Sequence, residues 1–446
     1  MGGEWTTIGE VAYVFDGPHA TPKKIDDGPY FLSISSLENG KLDLSKSARV
    51  SEEQFVKWTK RVTPREGDVL FSYETRLGEA ALMSRGIRAC LGRRMGLLRP
   101  DTNKVDPGFL LFAYLGPDFQ REIRARTNSG ATVDRIALKE LPQFPIRIPR
   151  LAEQKSIAHI LGSLDDKIEL NHQMNATLEV MAQALFKSWF VDFDPVIDNA
   201  LAAGNPIPES LHDRAETRKA LGDKHKPLPE AIQKQFPSRF VFSEEMGWIP
   251  AGWSQSNVGE KFEVTMGQSP PGDTYNQNGE GLPFFQGRAD FGFRYPSNRV
   301  FCSALKRFAS KGDTQVSVRA PVGDVNMAAE YCCIGRGVSA TRHKSGSRSY
   351  TYYSMLQLRE HLNVYEAEGT VFGSINQKDF KALPQLSVPL SLVQEFESHA
   401  GSLDGKIKSG AESICCLTQL RDTLLPKLLS GEPRIPDAEK IVQETI

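Results

Sequence analysis

The chain has 446 residues, 40% of them hydrophobic and 24% charged, with a formal net charge of −1. That is the composition of an ordinary folded protein with length for about three domains. It excludes a globally basic chain, so any nucleic-acid reader here must concentrate its Lys and Arg locally. The six cysteines (Cys90, Cys302, Cys332, Cys333, Cys415, Cys416) include two adjacent pairs and no C-x-x-C. Neither a disulfide framework nor a zinc site is expected, and a reducing, cytoplasmic setting fits. The opening MGGEWTTIGE has no basic n-region or apolar h-region, and no apolar run approaches membrane-spanning length. Neither a signal peptide nor a membrane span is expected.

Residues 1–150 read as a mixed α+β domain. Runs 11–15 and 30–34 are short, apolar and bounded by Gly and Pro, which predicts strands. The loop 17–29 between them carries Lys23 and Lys24. Segment 65–83 predicts strands at 69–71 and 80–83, with turns at Gly67-Asp68 and Gly78-Glu79. A basic turn follows at Gly92-Arg93-Arg94. Segment 106–126 predicts a helix with Phe109, Leu110, Phe112, Ala113 and Phe119 on its apolar face. Segments 129–136 and 141–149 close the domain, the latter extended because of its prolines.

Residues 151–193 predict one long helix. Ile157, Leu161, Leu164, Ile168, Asn171, Asn175, Leu178, Ala182, Leu185 and Trp189 follow one another in alternating steps of four and three. That is a coiled-coil seam. A helix of this length spans roughly 60 Å and needs a partner. Residues 194–247 are rich in Pro, Ala and charge, which predicts a surface linker with one or two short helices.

Residues 248–390 repeat the first domain. Gly67-Asp68, Ser72 and Gly78-Glu79 return 245 residues later as Gly312-Asp313, Ser317 and Gly323-Asp324. Cys90-Leu91-Gly92-Arg93 returns as Cys333-Ile334-Gly335-Arg336, and Gly130-Ala131-Thr132-Val133 resembles Gly369-Thr370-Val371. The long helix repeats too, over 391–431. Gly162-Ser163-Leu164-Asp165 comes back as Gly401-Ser402-Leu403-Asp404, which carries the seam onto Phe396, Ala400, Leu403, Ile407, Gly410, Ile414, Leu417, Arg421, Leu424 and Leu428. Residues 432–446 read as a short polar tail. The predicted fold is therefore α+β: two duplicated mixed α/β domains separated by a long antiparallel two-helix coiled coil with pseudo-two-fold symmetry. If the helices are antiparallel and centred, Asn175 opposes Gly410 and Asn171 opposes Ile414. The asparagines then either fix register or mark a loose, wet seam.

Chemistry is scarce. There is no P-loop, no G-x-S-x-G, no H-E-x-x-H and no kinase set. No Asn/Asp-Pro-Pro-aromatic string of the amino-methyltransferase kind occurs, and Asp192-Phe193-Asp194-Pro195 lacks the second proline. The eight histidines are scattered singly. No catalytic or metal-ligating residue is assigned, and a binding protein is favoured over an enzyme. What remains points to nucleic acid. Each copy carries polar or basic loops at matching places. In copy one the candidates are Lys23, Lys24, Tyr73, Thr75, Arg76, Arg93 and Arg94. In copy two they are Gln268, Ser269, Tyr275, Gln286, Arg288, Arg319 and Arg336. Arg suits the O6/N7 edge of guanine, Asn or Gln suits adenine, and Lys suits phosphate. Ordinary surface loops would look the same in one copy. In two copies, a fixed frame (Gly67-Asp68, Ser72, Gly78) encloses wholly different residues, as two readers of two short sequences would, and as simple drift of a non-functional loop also would.

The duplication, the GSLD-x-KI segments, the LFKSWFVDFDPV string at 185–196 and the LLPKLLSGE-x-RIP string at 424–436 resemble the specificity subunit of type I restriction–modification systems. The resemblance covers essentially the whole chain and is most specific in the helices and the FVDFDP junction. It implies that each globular copy is a target-recognition domain reading one half of a bipartite, asymmetric site in double-stranded DNA. It implies that the helices act as a ruler for the gap and bind two methyltransferase (modification) subunits. Endonuclease/translocase (restriction) subunits would join the same assembly in defence against foreign DNA. S-adenosylmethionine, ATP and Mg would then belong to those partners, with no cofactor in this chain. Two other classes compete: a methyltransferase- or nuclease-type enzyme with an unrecognised motif, and a coiled-coil protein scaffold. Binding of S-adenosylmethionine by the isolated chain would favour the first. Failure to footprint any DNA, even with a methyltransferase partner, would favour the second.

Overall fold

The structure is a computed structural model and describes residues 3–18, 20–127, 133–222, 227–304, 306–367, 373–432 and 435–445. The matching segments around Gly130–Thr132 and Gly369–Val371 lie outside these residues. The chain divides into two compact units, Met1–Gln173 with Gly410–Ile446, and Met174–Ser409.

In the first unit, an antiparallel four-stranded sheet runs in the order Ala12–Asp16, Met95–Pro100, Val69–Ser72, Ala80–Leu82. A second sheet pairs Ile25–Leu32 in parallel with Ala89–Leu91. The first strand, Glu4–Thr7, pairs with Pro145–Ile148, which feeds the long helix. The second unit repeats this wiring. Its four-stranded sheet runs Phe262–Met266, Val338–His343, Thr314–Val318, Val322–Met327. Leu282–Phe285 pairs in parallel with Cys332–Ile334, and Ser254–Asn257 pairs with Pro384–Ser387.

The Gly-Asp repeats have a structural cause. Gly67 and Gly312 turn the chain at φ of +86° and +87°, a backbone that side-chain-bearing residues rarely adopt. The following aspartates close the turn. Asp68 accepts from the Arg65 backbone N–H at 2.9 Å and is clamped by Arg99 at 2.9 and 2.7 Å. Asp313 accepts from the Ser310 N–H at 2.7 Å and from Arg342 at 2.7 Å.

The predicted helix at 106–126 is two helices, Pro107–Leu115 and Pro117–Ala125. Pro117 has no N–H to give and takes the first position of a new helix, so Gly116 becomes a break. The long helices run Leu151–Phe190 and Leu390–Ser430. The first ends three residues before 193 because Phe193 adopts a left-handed conformation and Pro195 opens the next helix.

The two long helices pair antiparallel within each unit. In the first, Arg421 Nη1 reaches Asp165 Oδ1 at 2.7 Å and Asn171 Nδ2 donates to Ser413 Oγ at 3.0 Å. Asn171 thus bonds Ser413, the neighbour of the expected Ile414. In the second, Trp189 and Phe186 pack edge-on against Phe396, with ring centroids 6.1 and 5.5 Å apart. Of the seam residues, Ile157, Leu161, Leu164, Ile168, Asn175, Leu178, Ala182, Trp189, Phe396, Ala400, Ile407, Leu417, Leu424 and Leu428 are buried. Asn171, Leu185, Leu403, Gly410, Ile414 and Arg421 are half-buried.

The buried faces are wider than a two-helix seam. Ile157, Leu161 and Leu164 belong to one core with Ile8, Phe109 and Phe144 of the first copy. Phe186, Trp189 and Phe190 belong to one core with Trp253, Tyr350 and Tyr353 of the second. Each copy therefore folds onto its stretch of helix.

Two segments are more ordered than their composition suggests. Residues 194–247 hold helices Asp194–Ala202, His212–Ala220 and Glu230–Gln233, then a hairpin of Phe240–Ser243 with Gly247–Pro250. Asp194, 3% exposed, ties them together by accepting from Ser188 and from Arg214. The 432–446 segment is not a loose polar tail. Helix Ile435–Thr445 buries Ala438 and Val442 and packs Ile435 against the same core.

Candidate nucleic-acid interface

The candidate loops converge in each copy through the same backbone bonds. In copy one, the Gly17 N–H donates to Met95 O at 2.8 Å, and the Tyr73 N–H to Arg94 O at 3.2 Å. The Thr75 N–H donates to Asp134 O at 3.1 Å. In copy two, the Gly267 N–H donates to Val338 O at 2.9 Å, and the Val318 N–H to Gly337 O at 2.9 Å. The Ala320 N–H donates to Gly373 O at 3.0 Å. The approach is close enough to require glycine. A Cβ on Gly17 would lie 2.5 Å from Gly92 O, and one on Gly267 would lie 2.1 Å from Gly335 O.

The sequence candidates separate into three groups. Lys23, Lys24, Arg93, Gln268, Gln286, Arg319 and Arg336 are exposed, and their side chains make no ion pair or hydrogen bond among the described residues. They are the groups open to a ligand. Arg76, Arg94 and Arg288 are engaged: Arg94 with Glu74 at 3.2 Å, Arg76 with Glu79 at 3.4 Å, and Arg288 with Asp324. Thr75 is exposed and accepts from Arg94 at 3.2 Å, and Ser269 accepts from the Arg336 N–H at 3.3 Å. The third group serves the frame. Tyr73 is only 7% exposed, and burial raises its hydroxyl above the usual phenol range, with Asp16 and Glu74 adding to the shift. Tyr275 packs on Phe284 with centroids 4.8 Å apart and donates its hydroxyl to Pro270 O at 2.8 Å.

Three exposed or half-exposed groups join the copy-one cluster although the sequence did not single them out. Arg135 is exposed and forms a β-bridge with Glu74. Ser33 and Ser35 stand where copy two has Gln286 and Arg288, because the Gly92 N–H donates to Leu32 O and the Gly335 N–H to Phe285 O. The signal was hidden by a length change. Cys90 and Cys333 are 243 residues apart, whereas the strands beside them pair Phe31 and Phe284, 253 apart.

Among the described residues, no group of three or more His, Cys, Asp or Glu could hold a metal ion, and no helix is long and apolar enough to cross a membrane. Residues 4–180 match the family described as the type I restriction modification DNA specificity domain. A putative type I restriction enzyme MjaX specificity subunit from Methanocaldococcus jannaschii is 27% identical over 436 residues, covering 94% of this chain and 91% of the relative. The type I restriction enzyme HindI specificity subunit from Haemophilus influenzae is 28% identical over 377 residues, covering 75% and 79%. The solved S subunit of a type I restriction–modification system from M. genitalium shares the fold. Its TM-score is 0.58, at 16% identity, with 96% of both chains covered. Residues 4–180 are therefore similar to a DNA specificity domain, a recognition module. More narrowly, the relatives that the chain resembles along most of its length are specificity subunits of type I restriction enzymes.

Proposed function

We propose that the two α/β copies are target-recognition domains that read the two halves of a bipartite, asymmetric duplex site, and that the long helices fix the gap between them. The observation that carries this is the duplicated loop cluster: identical backbone bonds hold different side chains. Copy one offers Arg93, Lys23 and Lys24, and copy two offers Gln268, Gln286, Arg319 and Arg336. Arg and Gln can read guanine and adenine edges in the major groove, and the lysines can neutralise phosphates. The outer faces of the long helices would carry two methyltransferase subunits, with the endonuclease/translocase subunits joining that assembly. S-adenosylmethionine, ATP and Mg would act in those partners.

The test is to map methylated sites for complexes carrying Arg93→Ala or Arg336→Ala. Arg93→Ala is expected to relax bases of one half-site and Arg336→Ala bases of the other, each by about 1–3 kcal/mol of discrimination. Relaxation of the same half-site by both would contradict the assignment of one copy to each half. Lys23→Ala with Lys24→Ala should weaken binding to all sequences alike and lower the salt dependence by about two phosphate contacts.

A further inference from the structure

We propose that Arg294 is a positioning residue for sequence reading in the second copy: it tethers the 286–299 loop to both long helices and thereby fixes Gln286 and Arg288. The inference rests on the reading that this loop faces DNA bases. Arg294 is 1% exposed, in a residue type that is almost always at the surface. Its Nη1 lies 3.2 Å from Glu179 Oε2 on the first long helix. Its Nη2 is paired with Asp404 on the second long helix and donates to the Tyr353 hydroxyl at 3.1 Å. The guanidinium carbon sits 3.6 Å from the centre of the Tyr352 ring.

A buried ion cluster of this kind adds little net stability over apolar packing. What it supplies is geometry, because a planar guanidinium fork meets two carboxylates in one orientation only. The rest of the loop is held in series with it. The Met327 N–H donates to Arg294 O at 2.9 Å, and Asn326 Nδ2 donates to Gly292 O at 2.9 Å. The Asp290 carboxylate accepts from the Gln286 N–H at 2.7 Å and pairs with Arg299. The Ser297 N–H closes the loop on Asp290 O at 2.9 Å. Gln286, the exposed candidate reader, thus hangs from Asp290, four residues from the anchored arginine.

The first copy meets its helix at the corresponding place with a weaker device. Asp165 is the counterpart of Asp404 in the GSLD repeat. There Lys41 Nζ reaches Asp165 O at 3.4 Å and Glu169 Oε2 at 2.8 Å, with both side chains at least 40% exposed. An exposed lysine is a point charge on a flexible stem and fixes direction poorly. Loss of the Arg294 tether should therefore loosen reading in the second copy alone.

The experiment maps DNA methylation by the full chain assembled with its methyltransferase partners, for Arg294→Met, for Glu179→Ala and for a reference variant carrying Gln286→Ala with Arg288→Ala. The reference variant identifies the half-site read by the loop. Arg294→Met and Glu179→Ala are expected to raise methylation at sites with one mismatch in that half-site about tenfold relative to the cognate site. The other half-site and the gap stay as they were. Glu179→Ala keeps the arginine and its second carboxylate, so it remains informative if Arg294→Met fails to fold. A uniform fall at all sites, or an unaltered motif, in Glu179→Ala would overturn the tether. An unaltered motif in the reference variant would overturn the reading of the loop and the tether with it.

Discussion

Asp68 and Asp313 show what the repeated residues are for. Each closes a glycine turn and takes a cation from the neighbouring strand, so the motif shared by the copies is a fold element and the residues it encloses are free to differ. Asp68 is 1% exposed, and Asp68→Ala would strand Arg99 without its carboxylate. The expected loss is about 3 kcal/mol, read from the urea midpoint of the full chain. A loss below about 0.5 kcal/mol would show that the turn holds without it.

His343 gives the fold a pH signature. Burial, with Lys261 and Lys344 nearby, pushes its imidazole down to about 4 from an ordinary 6.5. Its ring stands edge-on to Phe262 and Tyr350. Between those two values the unfolded chain binds the proton and the folded chain does not, so this group withdraws stability as pH falls from 6.5 toward 4. His343→Phe should flatten that part of the stability profile. An unchanged slope would mean that the ring is protonated in the folded protein.

At this scale the sequence was legible where backbone geometry dictates the residue, as at Gly67 and Gly312, but the close approaches at Gly17 and Gly267 were not. It was less legible where an aromatic ring serves either core or surface. Tyr73 and Tyr275 read as DNA-binding loop candidates, yet one is buried in the core and the other is pinned to Pro270 and Phe284. Ser33 and Ser35 escaped notice because the loops between paired strands differ in length.

At the scale of elements, periodicity found both long helices to within a few residues, since an alternating four-three pattern sustained over forty residues fits a helix and little else. It misjudged their surroundings. A heptad seam says where a helix is apolar but not whether the facing surface is a helix or a globular domain. Phe186 and Phe190 lie off the seam, and Tyr350 of the second copy covers them together with Phe396 of the facing helix. The short helix Ile435–Thr445 reads as a polar tail by composition, although Ile435, Ala438 and Val442 fall on one helical face. Leu164 is 0% exposed, and Leu164→Ala should cost about 2–5 kcal/mol.

Asn175 is 2% exposed, and its Oδ1 has no hydrogen-bond partner among the described residues. Replacing an unsatisfied buried amide with Leu should stabilise the fold by about 1–3 kcal/mol, seen as a higher Tm. A lower Tm, or loss of monodispersity, would assign the residue a register-setting role instead. The proposed ruler function belongs to the same elements. One heptad inserted into each long helix preserves the seam and adds roughly 10 Å, or about three base pairs. The mapped gap should lengthen by that amount while both half-sites keep their bases. Altered half-sites at an unchanged gap would refute a spacer role.

For the whole molecule, the central claim is that one chain carries two independent readers and delegates chemistry to its partners. The duplication was legible from the Gly-Asp, Cys-x-Gly-Arg and GSLD matches, and the four-stranded sheets of the two copies share one strand order. The bases read were not legible, because the loop side chains are the part of the repeat that differs and neither copy predicts the other. The most direct test maps methylation on random DNA by a methyltransferase complex assembled with this chain, and again with the same complex lacking it. The account predicts a two-part, asymmetric motif with a fixed non-specific gap, present only when the chain is present. A continuous or palindromic motif, or one that persists without the chain, would contradict it.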